Sequence, residues 1–243
     1  MIKFLRHIRQ QLLSEGKTGS YLKYAIGEII LVVFGILIAL QINAWYENSK
    51  KVKLKHVYTK NLIKDLTNDT IQLNDRLILN ENTFLKISDS IINIIDHPKT
   101  TVNEVKELAK TVGIGGLRIV NNYNTNTFQI LTSSGNIDLF DEDVIQKIME
   151  LDALQNFELN ISSNNRDTYF DIYNRYREQY LHQPINSNET IMNELWDNVD
   201  AFEHAPIYIN AVNVGHHAMT RYVSLTKEVL DKTEELLQIL EEQ

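Results

Sequence analysis

The sequence predicts an all-α protein: an antiparallel, four-helix-like bundle of long helices carried on one N-terminal transmembrane helix. Three observations indicate this fold. Only 3 prolines and 9 glycines occur in the 243 residues, so few positions break a helix. One stretch near the N-terminus is apolar enough to cross a bilayer. The rest of the chain repeats apolar residues every three or four positions, which is the period of an amphipathic helix.

The apolar stretch, residues 25–45, separates a basic, amphipathic leader, residues 1–24, from a soluble helical-bundle domain, residues 46–243. Its length of about 20 residues matches the hydrocarbon thickness of a membrane. Tyr24 and Trp45 flank it, as aromatic residues do at the two interfaces of a bilayer. We therefore expect a single-pass membrane protein.

Two other interpretations of this stretch are a cleaved signal peptide and a buried core helix. The long basic leader and the bulky Ile42 near the would-be cleavage site favour a permanent anchor. Five Lys or Arg residues precede the span and five lysines follow it closely, so the positive-inside rule nearly ties. Because a tail with five charges is awkward to translocate, we expect a bacterial inner-membrane protein with a cytoplasmic N-terminus and a periplasmic body.

One face of the predicted span carries small and polar side chains: Glu28, Gly35, Ala39 and Asn43. Small residues four positions apart let two helices approach closely, so this face is predicted to pack against another transmembrane helix. The partner would be a second copy or another membrane protein. Glu28 has three interpretations: a carboxylate at the membrane interface, an oligomer contact, or a proton relay.

Two segments resemble a known family. Lys23 to Trp45 is similar to the N-terminal hallmark of an uncharacterised family of Bacteroidota single-pass membrane proteins, a domain of unknown function. Within Thr127 to Leu139, the run from Leu131 to Gly135 resembles a second family feature, a Leu-x-Ser-Ser-Gly turn before a long helix. The resemblance implies a membrane location and this architecture, and it implies no activity.

The first long helix of the body is predicted over residues 52–95, and Pro98 forbids its continuation. A heptad seam, as in coiled coils, runs along it: Leu66, Thr70, Leu73, Leu77, Asn80, Phe84, Ile87, Ile91 and Ile94. A second apolar row follows every seven residues: Ile71, Ile78, Leu85 and Ile92. Together the two rows make a stripe wide enough for a bundle. Thr70 and Asn80 interrupt the seam, either as solvated polar gaps or as residues that set the register.

Later helices are marked by capping residues and prolines. Thr101 and Glu104 have the spacing of a capping box. Asp141 begins a second long helix, which Pro184 ends, with an apolar face of Ile145, Ile148, Leu151, Leu154, Phe157 and Ile161. Pro206 is predicted in the first turn of the final helix. The buried side of that helix is Ile207, Ala211, Val214, Ala218, Tyr222, Leu225, Val229, Leu236 and Leu240.

A patch of tyrosines and arginines on the second long helix has the composition of a ligand or partner site: Arg166, Tyr169, Tyr173, Tyr176, Arg177 and Tyr180. Tyrosines supply apolar area with a hydroxyl, and arginines bind anions. The alternative is that these tyrosines are core residues at helical spacing.

Catalytic and metal-binding patterns are weak. The chain has no cysteine. The glycine loop at residues 113–116 lacks the lysine of a phosphate-binding loop. His204, His216 and His217 lack a metal-binding pattern on one helix face. We expect no enzyme, no cofactor and no metal, and the net charge of −8 disfavours nucleic acid.

Two functions follow from this pattern. The first is a membrane-anchored interaction or scaffold protein, or an accessory subunit of a cell-envelope complex. The alternative is an extracytoplasmic helical sensor that binds a small ligand and signals through a partner. Whether there is a small-molecule ligand stays open.

Overall fold

The structure, a computed structural model, describes residues 18–114, 118–180 and 189–242 and confirms the all-α class, since no strand occurs in these ranges. The chain divides into two compact units, Met1–Val57 and Tyr58–Gln243. The leader as far as residue 17 lies outside the described residues, as do Pro184 and the end of the glycine loop.

The described part of the first unit belongs to helix α1, Thr18–Leu79. Among the described residues, this is the one helix long and apolar enough to cross a membrane. An 18-residue window has a mean hydropathy of 2.5, and none of it is buried against the rest of the chain. A signal sequence near an N-terminus has the same length and apolar character.

The second unit contains the end of α1 and a series of further helical elements. A π-helical segment, Asn80–Leu85, connects α1 to α2, Lys86–Ile95. The elements that follow are α3, Val102–Thr111; α4, Asn126–Ser133; a 3₁₀ turn, Asn136–Leu139; α5, Glu142–Gln179; α6, Glu189–Asp197; and α7, Ala201–Glu241. The predicted capping box is confirmed, because the Thr101 hydroxyl accepts from the Glu104 amide and the Glu104 carboxylate accepts from the Thr101 amide.

Helices α5 and α7 pack antiparallel along their lengths. Lys147, near the start of α5, pairs with Glu235 near the end of α7. Tyr176, near the end of α5, bonds to His204 at the start of α7. Contacts that run in opposite chain directions establish the antiparallel arrangement that the sequence predicts.

The helical run from Tyr58 to Ile95 is also antiparallel to α7. Glu81 pairs with Lys227, while Ser88, farther along, lies against His216. Three long helical elements therefore enclose the core of this unit.

A non-helical segment, residues 118–125, which we call the strap, runs back along these helices. It is fixed to α1 at two levels, since Asn80 donates to the Arg118 carbonyl and the Asn124 amide donates to Asp69. Eleven residue steps along the helix from Asp69 to Asn80 rise about 16 Å. Six residue steps of the strap, from Arg118 to Asn124, run between the two attachment points, whereas six helical residues would rise only about 9 Å.

The predicted seam of the first long helix is buried at Leu66, Leu73 and Ile91, but two details were wrong. In the second row, Ile71 and Ile78 are 57% and 61% exposed, because Asp69 faces the core instead. Asn80 is fully buried rather than solvated, because it holds the strap.

Two predictions on the later helices were also wrong. Helix α7 begins at Ala201, where the Asp200 side chain accepts hydrogen bonds from two backbone amides, so Pro206 lies inside the helix rather than in its first turn. On α5, Phe157 is exposed, because the buried face turns polar at Gln155, Glu158 and Ser162.

Candidate functional site

The predicted packing face of the span is open in the first unit. A Cβ atom added at Gly35 would meet no neighbouring atom within 4 Å. Ala39 and Asn43 are exposed, and Glu28 is partly exposed. No described side chain fills the groove beside Gly35, so it is free to receive lipid or a second helix.

The six residues of the Tyr/Arg patch do not form one surface. Tyr169 and Tyr176 are buried in two different apolar clusters of the core, and burial raises the pKa of each hydroxyl. Tyr173 and Tyr180 are partly buried. Two of the four tyrosines therefore have the core role that was the alternative interpretation.

The arginines of the patch have partners of their own. The Arg166 guanidinium lies 2.9 Å from the Asp167 carboxylate and also donates to Ser163. The Arg177 guanidinium carbon lies 5.6 Å from the centre of the Tyr173 ring, a cation–π contact.

An aromatic cluster surrounds His204 at the start of α7. Its ring centre lies 4.6 Å from Tyr180, 5.4 Å from Trp196 and 5.7 Å from Tyr208, while Nε2 lies 3.1 Å from the Tyr176 hydroxyl. Burial lowers the pKa of His204 to about 4, and the positive charge of Lys106 adds to this effect. The imidazole is therefore neutral at physiological pH. Across the described chain, no three His, Asp or Glu side chains come together to hold a metal ion.

His216 lies apart from this cluster, at a small cleft of about 20 Å³ that is partly open to solvent. The hydroxyl of Ser88 is 3.1 Å from Nδ1 of His216, and a carboxylate oxygen of Asp89 is 3.5 Å from the same nitrogen. A catalytic triad needs the serine and the carboxylate on opposite ring nitrogens. Because both approach Nδ1, this group does not have that geometry. Tyr169 lines the floor of the cleft.

The densest polar arrangement is where the strap meets the long helices, and sequence reasoning missed it. Asp69 of α1 accepts from the backbone and side-chain amides of Asn124, at 3.0 and 2.7 Å. It also accepts from Gln72 at 2.9 Å and Gln155 at 3.3 Å. Burial raises the pKa of Asp69, while these N–H donors oppose the rise.

A second buried carboxylate, Glu158 of α5, holds the strap from the opposite side. It accepts from the hydroxyl of Tyr123 at 2.9 Å and from that of Ser162 at 2.6 Å. The hydroxyl of Tyr222, from α7, accepts from the backbone amide of Val120 at 3.0 Å. Side chains of all three long helical elements thus anchor the strap.

A sequence signal for these carboxylates does exist. Asp69 follows Leu62 and Leu66 at helical spacing, and Glu158 follows Ile148 and Leu151 in the same way. A carboxylate at a core position of an amphipathic helix indicates a buried partner, here the strap.

Comparison with known proteins gives one match. Residues 28–181 match a family described as a family of unknown function, DUF6090, and this range is more than half of the chain. The chain belongs to this family. No curated protein and no solved structure matches it.

The DUF6090 match begins inside the apolar part of α1 and ends just after α5. It therefore includes the strap and both of its carboxylates, Asp69 and Glu158. The helices α6 and α7 lie beyond it, although α7 supplies Tyr222 to the same arrangement.

Proposed function

We propose that this DUF6090 member is a single-pass protein of the bacterial inner membrane that acts as an interaction protein, either a scaffold or an accessory subunit of an envelope complex. The resemblance of residues 23–45 to Bacteroidota membrane proteins supports a Bacteroidota origin. The N-terminus lies in the cytoplasm and the body in the periplasm. Contact with partners is made through the span and through the bundle.

The observation that carries this proposal is the apolar surface of α1. Between Ile29 and Ile42, its large apolar side chains are 47–68% exposed. Burying such a side chain contributes about 1.5–3 kcal/mol, so this surface strongly favours lipid or another helix over water. The small residues at Gly35 and Ala39 leave room for the second helix.

The test is to replace these two small residues with leucine, which would block the approach of a second helix. In the full-length chain, Gly35→Leu and Ala39→Leu should abolish a larger species seen on native gels and by in-cell crosslinking. Leu37→Phe is the matched control, because position 37 is rotated about 180° from Glu28 and the enlarged side chain points away from the contact. Unchanged size in both leucine variants would reject this face as the interface.

The identity of the partner distinguishes an accessory subunit from a protein that acts alone or with copies of itself. A tagged full-length chain is purified from native membranes in gentle detergent, and co-purifying proteins are identified by mass spectrometry. A stoichiometric partner identifies an accessory subunit. Recovery of the chain alone identifies a monomer or a homo-oligomer and removes the accessory role.

A second candidate is the periplasmic sensor. It is favoured by the cleft at Ser88 and His216, whose lining combines apolar residues with these two polar side chains and which would have to widen to admit a metabolite. Anionic metabolites that bind there should raise the melting temperature of the full-length chain in detergent, and His216→Phe should remove the rise. An unchanged melting temperature across the metabolite set would count against a sensor.

A further inference from the structure

The strap closes over a carboxylate that has no cation beside it. The Glu158 side chain is 0% exposed. Its partners in the described chain are the hydroxyls of Tyr123 and Ser162, and no positive charge offsets its burial. Tyr123 belongs to the strap, so this bond connects the strap directly to α5.

The titratable groups around Glu158 come from each packed element. The strap supplies Tyr123, whose hydroxyl also feels Asp69 of α1 and Tyr222 of α7. Arg76 of α1 acts on Tyr222 rather than on Glu158. The neighbours that act on Glu158 itself are therefore neutral hydroxyls, and nearby Asp69 carries negative charge when ionised.

The two carboxylates that hold the strap, Asp69 and Glu158, differ in whether they can bind a proton without losing a hydrogen bond. Asp69 is surrounded by N–H groups, which can only donate, so a proton on Asp69 would displace a hydrogen bond. Glu158 is surrounded by hydroxyls, which can donate or accept. It can therefore bind a proton without losing a partner. Burial raises the pKa of Glu158 by more than its two hydrogen bonds lower it.

We propose that Glu158 and Tyr123 form a proton-dependent latch, which holds the strap closed while Glu158 is protonated and favours strap opening when the proton is lost to solvent. Opening lets water reach the carboxylate, and the ionised form gains most from hydration. The protonated, closed state is fully favoured below the ordinary glutamate pKa of 4.5. This stabilisation of the closed strap is lost as the pH rises through the raised pKa that Glu158 has in the closed state.

The experiment is hydrogen–deuterium exchange of the full-length chain in detergent over a pH series, with labelling times scaled for the intrinsic exchange rate. In the native chain, opening of the strap, residues 118–125, should rise with pH by up to about tenfold per unit inside this window, while α7 stays protected. Glu158→Gln keeps a hydrogen-bonding side chain without charge, so the pH dependence of its strap should fall to the part that the raised pKa of Asp69 contributes.

Asp152→Asn is the matched control, because Asp152 lies on the same helix and burial also raises its pKa, but its carboxylate accepts a hydrogen bond from Asn156 of that helix rather than from the Tyr123 hydroxyl. This variant should behave like the native chain. Equal pH dependence in Glu158→Gln and the native chain would overturn the latch, as would a native strap whose protection does not change with pH.

If Glu158→Gln does not fold, Tyr123→Phe tests the same contact with the charge intact. Removing the hydroxyl that donates to Glu158 should raise strap exchange at the lowest pH of the series. Unchanged exchange in Tyr123→Phe would equally overturn the proposal.

Discussion

Gly215, in the middle of α7, shows how a single residue determines packing between the two longest helices of the body. A Cβ atom at this position would lie 2.7 Å from Cε2 and 3.1 Å from Cδ2 of the Tyr169 ring. The glycine is therefore needed for close approach rather than for a turn. It lets the Tyr169 ring lie flat against α7, and Tyr169 in turn stacks on Tyr173 with ring centres 5.7 Å apart.

We predict that Gly215→Ala destabilises the body, although alanine is the better helix former, because Tyr169 must move out of a buried position. Overpacking of this kind costs about 1–3 kcal/mol. Thermal unfolding of the full-length chain in detergent measures the loss. Gly35→Ala is the control, since its added methyl group meets nothing within 4 Å. Equal melting temperatures for Gly215→Ala and the native chain would contradict the argument.

Asn80 lies where the long helix that includes α1 becomes irregular. It begins the π-helical segment and donates to the Arg118 carbonyl at 2.8 Å. A π-helical turn admits an extra residue into a helix and rotates the side chains that follow. The rotation coincides with the point where the strap joins α1, so the helix adapts its surface to the strap.

At the scale of secondary-structure elements, the strap is the part of the bundle that has no regular structure. Its amides and carbonyls bond to helix side chains: Asn80, Gln72, Asp69 and Tyr222. Buried backbone groups need partners, and a segment without regular structure must find them in side chains. This need explains why polar residues occupy core positions on three helices.

We predict that Asp69→Asn destabilises the body by about 1–3 kcal/mol, because one amide NH₂ group would face N–H donors of Asn124, Gln72 or Gln155 and leave a donor unsatisfied. Urea unfolding of the full-length chain measures the change. Asp75→Asn is the control, since Asp75 is exposed on the same helix. The prediction fails if the two variants lose the same stability.

At the scale of the whole molecule, two buried groups act on the pH dependence of stability with opposite signs. The raised pKa of Glu158 favours the folded state at low pH, and the lowered pKa of His204 favours it at high pH. The body is most stable where both side chains are neutral. These groups lie in different parts of the second unit, beside the strap and in the aromatic cluster.

For His204, the unfolded state binds the proton more tightly than the folded state does. We predict that the contribution of His204 to stability is full above a pH of 6.5 and is lost as the pH drops toward about 4, the value to which burial lowers its pKa. His204→Phe should flatten this slope, while losing some stability at neutral pH because the Tyr176 hydroxyl loses its partner. Chemical unfolding at several pH values measures both effects.

His217→Gln is the control for His204, because His217 is exposed on the same helix. It should keep the native slope. A slope that persists in His204→Phe would assign the acid-side loss to other groups.

The features that could be predicted from the amino-acid sequence are those that depend on local physics. Helix periods, the capping box at Thr101 and the stop near Pro98 all act within a few residues, so the all-α class and most helix ends could be predicted. The apolar character of residues 25–45 is likewise a local property, and the DUF6090 match agrees with the resemblance found there.

The polar residues of the core could not be predicted in this way. Asp69, Asn80 and Glu158 are buried because strap residues that lie 55, 38 and 35 positions away in the chain supply their partners. Hydrogen bonds between distant segments leave no period in either one. For the same reason the burial of Tyr169 depends on a glycine 46 residues later, and a pattern on one helix cannot show it.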